Sequence, residues 1–212
     1  MEERYKKMSQ REHVYELPDS YVGSTEKTSI TTYVAPGVDR LEKKEIVYVP
    51  ALFKIFDEVL VNAIDQYTRT QKKSLPVSRI EIYVDVDSIS VKNNGKGIPI
   101  KKLPEYGNVL VPEMIFGELL TSSNYDKNQE KTTGGKNGFG AKLANIFSKL
   151  FCVETVCGKK KFKQTFLENM KIKEPPVIST VDPGQDGTSI YFEPDLERFG
   201  ISKISKDEID LF

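Results

Sequence analysis

Leu52, Ile55, Phe56, Val59, Leu60, Ala63 and Tyr67 recur at intervals of three and four residues, which lines them along one side of a helix. Pro50 can open that helix, because a proline at the first helical position gives up no needed donor. The pattern predicts a helix from Ala51 to about Arg69, with Glu58, Asn62, Asp65 and Arg69 as a polar stripe on another side. After a polar loop, Lys72 to Ser78, the period changes from 3.6 to 2. Ile80, Ile82, Val84 and Val86 alternate with Glu81, Tyr83 and Asp85, and Ser88 to Lys92 follows a tight Asp87-Ser88 turn, so a strand pair is expected.

The flanking pattern is less regular. Tyr5 to His13 reads as the start of a short helix, and Ile30 to Val34 and Glu45 to Val49 as short strands. Val111 to Leu120 fits a helix entered at Pro112, Thr121 to Thr133 a lid-like polar loop, and Ala141 to Phe151 a second helix. Strands are expected at Cys152 to Val156, Phe162 to Leu167 and Ser189 to Phe192. This order predicts an α/β sandwich in which a mixed, mostly antiparallel sheet is covered by helices on one face. No repeat or interdomain linker interrupts it, so residues 1–212 are read as one domain, with 1–25 as an N-terminal arm and 201–212 as the start of a further helix.

Composition narrows the function classes. The 31 Lys and Arg balance 31 Asp and Glu, which argues against a dominant surface for gripping a phosphate backbone. Hydrophobic residues make up 38%, enough for a sizeable core. No apolar run is long enough to cross a bilayer, and Met1 to Gln10 lacks a signal core, so an intracellular protein without membrane partners is expected. Cys152 and Cys157 are too few for a disulfide scaffold. His13 is expected to be structural, and Lys159 to Lys163 a solvated turn rather than a DNA contact.

Two glycine-rich segments carry candidate chemistry: Asn94-Gly95-Lys96-Gly97, and Gly134-Gly135-Lys136-Asn137-Gly138-Phe139-Gly140 leading into a helix. A glycine loop at a helix N-terminus suits an anion, because backbone N–H groups and the helix dipole point outward. Gly140 is followed by Ala141 rather than Lys-Ser/Thr, which excludes a P-loop; Leu143 stands where the dinucleotide fingerprint needs its third glycine. Glu58 and Asn62, four apart, project together: a carboxylate can deprotonate water and an amide oxygen can ligate Mg²⁺. In isolation that pair also fits a solvated helix face, and Asn-Gly a hairpin tip. Their occurrence in one order, Glu-xxx-Asn helix, Asn-Gly-Lys-Gly, then glycine loop, favours the chemical reading.

With those motifs, the sequence resembles the GHKL ATPase superfamily, and within it the N-terminal ATPase domain of type IIA DNA topoisomerases, nearest the eukaryotic topoisomerase II branch that also occurs in large DNA viruses. The resemblance rests on Tyr48 to Ala63, Asn93 to Pro99, Leu119 to Tyr125, Thr133 to Leu143 and, more weakly, Glu12-His13, Pro18 to Ser24 and Asp186 to Thr188. It implies ATP and Mg²⁺, with Glu58 as the general base and Asn62 as the metal ligand. Asn94 would meet the adenine amino group beside Gly97, and Ser122, Ser123 and Asn124 would hold ribose and phosphate oxygens. The backbone amides of Asn137, Gly138, Phe139, Gly140, Ala141 and Lys142 would cradle the triphosphate, with the Lys142 side chain on phosphate and Lys136 as a further ATP-binding residue. Thr188 would line the adenine end, and Tyr5 would reach the nucleotide of a partner in a homodimer.

The resemblance also implies a gate that closes on ATP while duplex DNA is held by other domains, and a location in the nucleus, or in a virion or host replication compartment. Lys136, Phe139 and Gln66 depart from the family's usual arginine, tyrosine and asparagine. The family's transducer lysine has no counterpart, so this chain is expected to bind ATP with little or no hydrolysis. A chaperone or mismatch-repair ATPase of the same fold, and a nucleotide-gated dimerisation module without turnover, are the alternatives.

Overall fold

The computed structural model describes residues 7–37, 39–119 and 139–212. Helix α1, Gln10–Glu16, begins where Ser9 and Glu12 form a reciprocal capping box, and is followed by a single 3-10 turn at Pro18–Ser20. Strands β1, Thr28–Gly37, and β2, Arg40–Tyr48, form a separate antiparallel hairpin. The long helix α2, Pro50–Thr70, has Pro50 in its first turn and buries Leu52, Ile55, Phe56, Val59 and Ala63 as the periodicity predicts; Tyr67 is instead exposed.

Behind α2 lies the main sheet. Its strands are β3 (Ile80–Val84), β4 (Ile89–Asn94), β7 (Ser148–Cys157), β8 (Lys160–Leu167), β9 (Ile172–Lys173), β10 (Val177–Thr180) and β11 (Gly187–Pro194). The spatial order is β10-β8-β7-β11-β4-β3, with β9 on β8, and every pairing described is antiparallel. A small ribbon, β5 (Lys102–Leu103) with β6 (Val109–Leu110), leads into α3, Val111–Gly117. Helices α2 and α4, Gly140–Ile146, pack on one face of the sheet, around a core that includes Phe116, Phe147, Phe151, Phe166 and Phe192.

Helix α4 is shorter than the Ala141-to-Phe151 expectation. It ends at Ile146, and Ser148 already belongs to β7. The Ser148 hydroxyl donates to the Ala144 carbonyl at the helix end, and from Phe151 onward the chain alternates Phe151, Val153 and Thr155 into the core. An apolar run that serves helix and then strand has no break in composition to mark the change.

Two long-range anchors hold the ends of the chain. In α5, Lys206–Leu211, Glu208 completes a capping box with Ser205 and also accepts the Val49 N–H at 3.1 Å, which places a carboxylate at the N-terminus of α2. Phe212 then stacks on Phe56 with ring centroids 5.0 Å apart. At the other end, Tyr15 of α1 donates its hydroxyl to Asp195 at 2.9 Å, and Asp195 also accepts from Asn169 at 3.0 Å and lies 3.1 Å from the Lys149 ammonium. Burial alone would raise the Asp195 carboxyl; the contacts from Lys149, Tyr15 and Asn169 outweigh it and hold the group below the ordinary value.

Tyr15→Phe is therefore expected to cost about 1.5 kcal/mol at neutral pH, the scale of a hydrogen bond to a charged group. A depressed carboxylate stabilises the fold above its unfolded value and ceases to do so as pH falls through the folded one. The difference between Tyr15→Phe and the unaltered chain in urea unfolding should accordingly shrink below about pH 4; an unchanged difference would mean that the Asp195 contact contributes nothing.

Candidate functional site

One cleft gathers the polar residues of three motifs. It contains about 580 Å³ of empty space, counted with its open mouth, between α2, the sheet, the segment after β4, α3 and the start of α4. Along α2 the cleft-facing residues are Val59, Asn62, Ala63, Gln66 and Arg69. With Glu58 beside them, they extend over about 16 Å of helix at 1.5 Å per residue. This stripe is rotated from the one expected: Asp65 is buried and pairs with Arg69 at 3.6 Å, whereas Gln66 reaches across the cleft to donate to the Lys96 carbonyl at 2.7 Å.

At one end, Glu58 and Asn62 meet the start of α4. A methyl group built on Gly140 would lie 3.4 Å from Asn62 Nδ2, 3.6 Å from Glu58 Oε2 and 3.9 Å from Asn62 Oδ1. Glu58 Oε1 is held by the Lys54 ammonium at 2.8 Å, so Oε2 is the oxygen turned toward α4. Asn62 spends its Nδ2 on the Glu58 carbonyl, which leaves Oδ1 as an acceptor on the cleft wall. The Lys142 and Leu143 N–H groups both bond the Phe139 carbonyl, at 2.7 and 3.3 Å, so those of Gly140 and Ala141 are the described helix amides that precede the ladder.

The Lys142 backbone amide is therefore committed to Phe139, contrary to the expectation that it belongs to a phosphate cradle. Its side chain is buried, and burial pulls its ammonium down to about 8, against the raising field of Glu118. Phe139 packs its ring on Tyr21, which in turn bonds His13 Nδ1 at 2.8 Å, so the single histidine has a structural partner. Lys161 and Lys163 are strand residues that pair with Glu154 at 2.5 and 2.9 Å.

At the other end of the cleft, strand register builds a polar row. Thr188 of β11 lies opposite Asn93 of β4 on one side and opposite Thr155 of β7 on the other. Thr155 accepts the Ile98 N–H at 2.9 Å, donates to the Gly187 carbonyl at 3.0 Å and lies 3.0 Å from the Thr188 hydroxyl. With its one hydrogen on Gly187, Thr155 takes the Thr188 hydrogen, which leaves Thr188 lone pairs to face the cleft. Asn93 is buried on the same wall, with Nδ2 on the Asn94 carbonyl at 2.9 Å.

The Asn94 assignment is thereby corrected. Ile89, Val91 and Asn93 point inward along β4, and Asn94, one residue on, points to the other side. Its Oδ1 accepts from the Ser78 and Arg79 N–H groups at 3.0 and 2.9 Å, and its Nδ2 donates to the Ser78 hydroxyl. The two-residue period of the strand contains this signal; the Asn-Gly turn obscured it. Gly97 has a packing reason: its missing side chain makes room for the Val156 carbonyl. Ile98, Ile115, Phe116 and Ile190 supply apolar walls that sequence reasoning did not single out. Tyr5, Ser122, Ser123, Asn124, Lys136, Asn137 and Gly138, and the Thr121-to-Thr133 segment, lie outside the described residues.

Among the described residues, no helix is long and apolar enough to cross a membrane. Residues 48–198 match the family of histidine kinase-, DNA gyrase B- and HSP90-like ATPases. All of the chain aligns at 46% identity with DNA topoisomerase 2 of Arabidopsis thaliana, and at 47% with DNA topoisomerase 2 of Acanthamoeba polyphaga mimivirus, spanning 14% and 17% of those proteins. The ATPase region of Saccharomyces cerevisiae topoisomerase II superposes with a TM-score of 0.93 at 42% identity, over the whole of this chain and 56% of that one.

Proposed function

Because the chain belongs to the histidine kinase-, DNA gyrase B- and HSP90-like ATPase family, we propose that the cleft binds ATP with Mg²⁺ and that Glu58 activates water against the γ-phosphate, as the nucleotide-driven gate of a type II DNA topoisomerase. The observation that carries this reading is the meeting of Glu58 Oε2, Asn62 Oδ1 and the first turn of α4 at one end of a cleft whose other end is the Asn93–Thr188 row.

The chemistry divides between those ends. Asn93 Oδ1 accepts from the exocyclic amine of adenine, Thr188 offers a second acceptor, and Val91, Ile98 and Ile190 cover the ring faces. Asn62 Oδ1 would hold Mg²⁺; it is a hard oxygen whose amide partner atom is already engaged, and a metal that keeps most of its waters needs few protein ligands. When bound, Mg²⁺ neutralises charge on the phosphates. Glu58 Oε2 takes the proton from water while Lys54 fixes Oε1 and the carboxylate's orientation. The N–H groups that open α4 and the Lys142 ammonium receive phosphate oxygens, joined by the backbone of Asn137 and Gly138 and by Ser122, Ser123 and Asn124 at the ribose and phosphates. Since the chain spans about one-sixth or less of its relatives, homodimerisation through Tyr5 and the arm, and passage of duplex DNA, belong to the larger assembly in this reading.

Neighbouring asparagines provide the test. Asn93→Ala is expected to weaken binding of a non-hydrolysable ATP analogue about 10- to 100-fold by calorimetry, since a hydrogen bond to a buried acceptor is lost. Asn94→Ala should lower the melting temperature, because two backbone N–H groups lose their acceptor, yet keep affinity within about threefold once folded. Equal affinity losses in both variants would remove Asn93 from the base-binding end.

A further inference from the structure

Thr155 stands on β7 with Thr188 of β11 directly opposite, and its side chain is buried. Three segments meet on its hydroxyl: the Ile98 N–H at 2.9 Å, the Gly187 carbonyl at 3.0 Å and the Thr188 hydroxyl at 3.0 Å. The chain after β4 covers it, since a Cβ on Gly97 would come within 2.9 Å of Thr155 Oγ1. Thr188 is on the cleft wall, and Thr155 sits beside it under that cover.

A hydroxyl has one hydrogen and two lone pairs, and in Thr155 each has a fixed use. The Ile98 N–H can only donate and the Gly187 carbonyl can only accept, so they take one lone pair and the hydrogen. The lone pair that remains is filled by the Thr188 hydrogen, and Thr188 turns only lone pairs to the cleft. Asn93, opposite Thr188 across the β4–β11 pairing, is fixed in the same sense, with Nδ2 on the Asn94 carbonyl and Oδ1 left over. These two side chains therefore show the cleft two acceptors and no donor.

We propose that Thr155 is a positioning residue for base selection: by holding the Thr188 hydrogen it keeps both acceptors fixed, so that the cleft takes a purine with an amine at position 6 and refuses one with a carbonyl there. An exocyclic amine has a hydrogen for each acceptor. A carbonyl oxygen would meet only lone pairs, and its lost hydration would go uncompensated. Without the Thr155 hydroxyl, the Thr188 hydroxyl can turn and donate to that carbonyl. The role rests on the reading that the Asn93–Thr188 end receives the base, so the test separates the two.

Matched non-hydrolysable adenosine and inosine triphosphate analogues, one with a 6-amine and the other with a 6-carbonyl, are titrated with Mg²⁺ by calorimetry. The unaltered chain is expected to prefer the adenosine analogue about 100-fold, roughly tenfold for each acceptor set against the carbonyl. Thr155→Val keeps nearly the same shape without the hydroxyl and should cut that preference about tenfold, chiefly because the inosine analogue binds more tightly. Thr155→Ser retains the hydroxyl and should keep the preference within about twofold. Equal weakening of both analogues in Thr155→Val, with the preference unchanged, would mark a structural role and overturn the proposal. A second measurement needs no variant to fold: NMR of the nucleotide-free, unaltered chain should find the hydroxyl hydrogens of Thr155 and Thr188 protected from exchange with water. A Thr188 hydrogen in rapid exchange overturns the proposal as well. If the unaltered chain binds neither analogue, or both alike, the placement of the base at this end of the cleft fails, and the role of Thr155 falls with it.

Discussion

Glu58→Gln is expected to lower ATP turnover by roughly 10²–10⁴-fold while leaving the affinity for a non-hydrolysable analogue within about threefold, the signature of a group used in the transition state rather than in binding. Three features of the site set this expectation. Oε2 faces Gly140 and Asn62, the end of the cleft proposed for the phosphates; Oε1 is held by Lys54, so the free oxygen has a defined direction; and the exchange removes a proton acceptor while keeping nearly the same volume. Turnover is read as phosphate release by the full-length polypeptide, and affinity by calorimetry. If affinity collapses together with turnover, Glu58 shapes the cleft and the base is another group. Lys54→Met gives an intermediate case: the carboxylate stays but loses its fixed orientation, and turnover should fall less than in Glu58→Gln.

Glu58 was legible in the sequence because a helix of 21 residues states its period several times over, and a pair four apart can be assigned to one side without further information. Asn93 was not, because the last residues of β4 run into a glycine turn and the asparagine pair straddles the boundary between a strand's alternation and the turn. One residue of parity separates a side chain in the cleft from one tied to Ser78 and Arg79. The Thr155–Thr188 contact was hidden for a different reason: it depends on the register of strands more than thirty residues apart, which no local pattern encodes. Helix α2 and the strand pair after it were readable from periodicity, whereas the short strands β5, β6, β9 and β10 draw their structure from partners rather than from their own composition. The capping box Ser9-x-x-Glu12 was a local signal that fixes the start of α1 at Gln10, within residues 1–25 and later than the expected Tyr5.

The same dependence on partners makes Gly97 the position where the smallest change should do the most damage to stability. A Cβ built there would sit 1.9 Å from the Val156 carbonyl oxygen, 2.8 Å from its carbon and 2.9 Å from Thr155 Oγ1. Two of the three obstacles are backbone in a strand paired on both sides, between β8 and β11, so that strand cannot yield locally. Relief has to come from the segment after β4 moving away, which breaks the Ile98 N–H bond to the Thr155 hydroxyl, the group that lies beside Thr188. Gly97→Ala is therefore expected to cost about 3 kcal/mol or more, the upper range for overpacking a filled interior, and to weaken nucleotide binding in whatever fraction still folds. Gly158→Ala is the comparison: its φ of +65° carries strain, but nothing lies within 4 Å of the new methyl group, so about 1 kcal/mol is expected. Urea unfolding of both variants decides the point. Equal small losses would mean that the approach of Gly97 to Val156 is not a fixed feature of the fold, and that the Asn93–Thr188 end of the cleft is not held together through it.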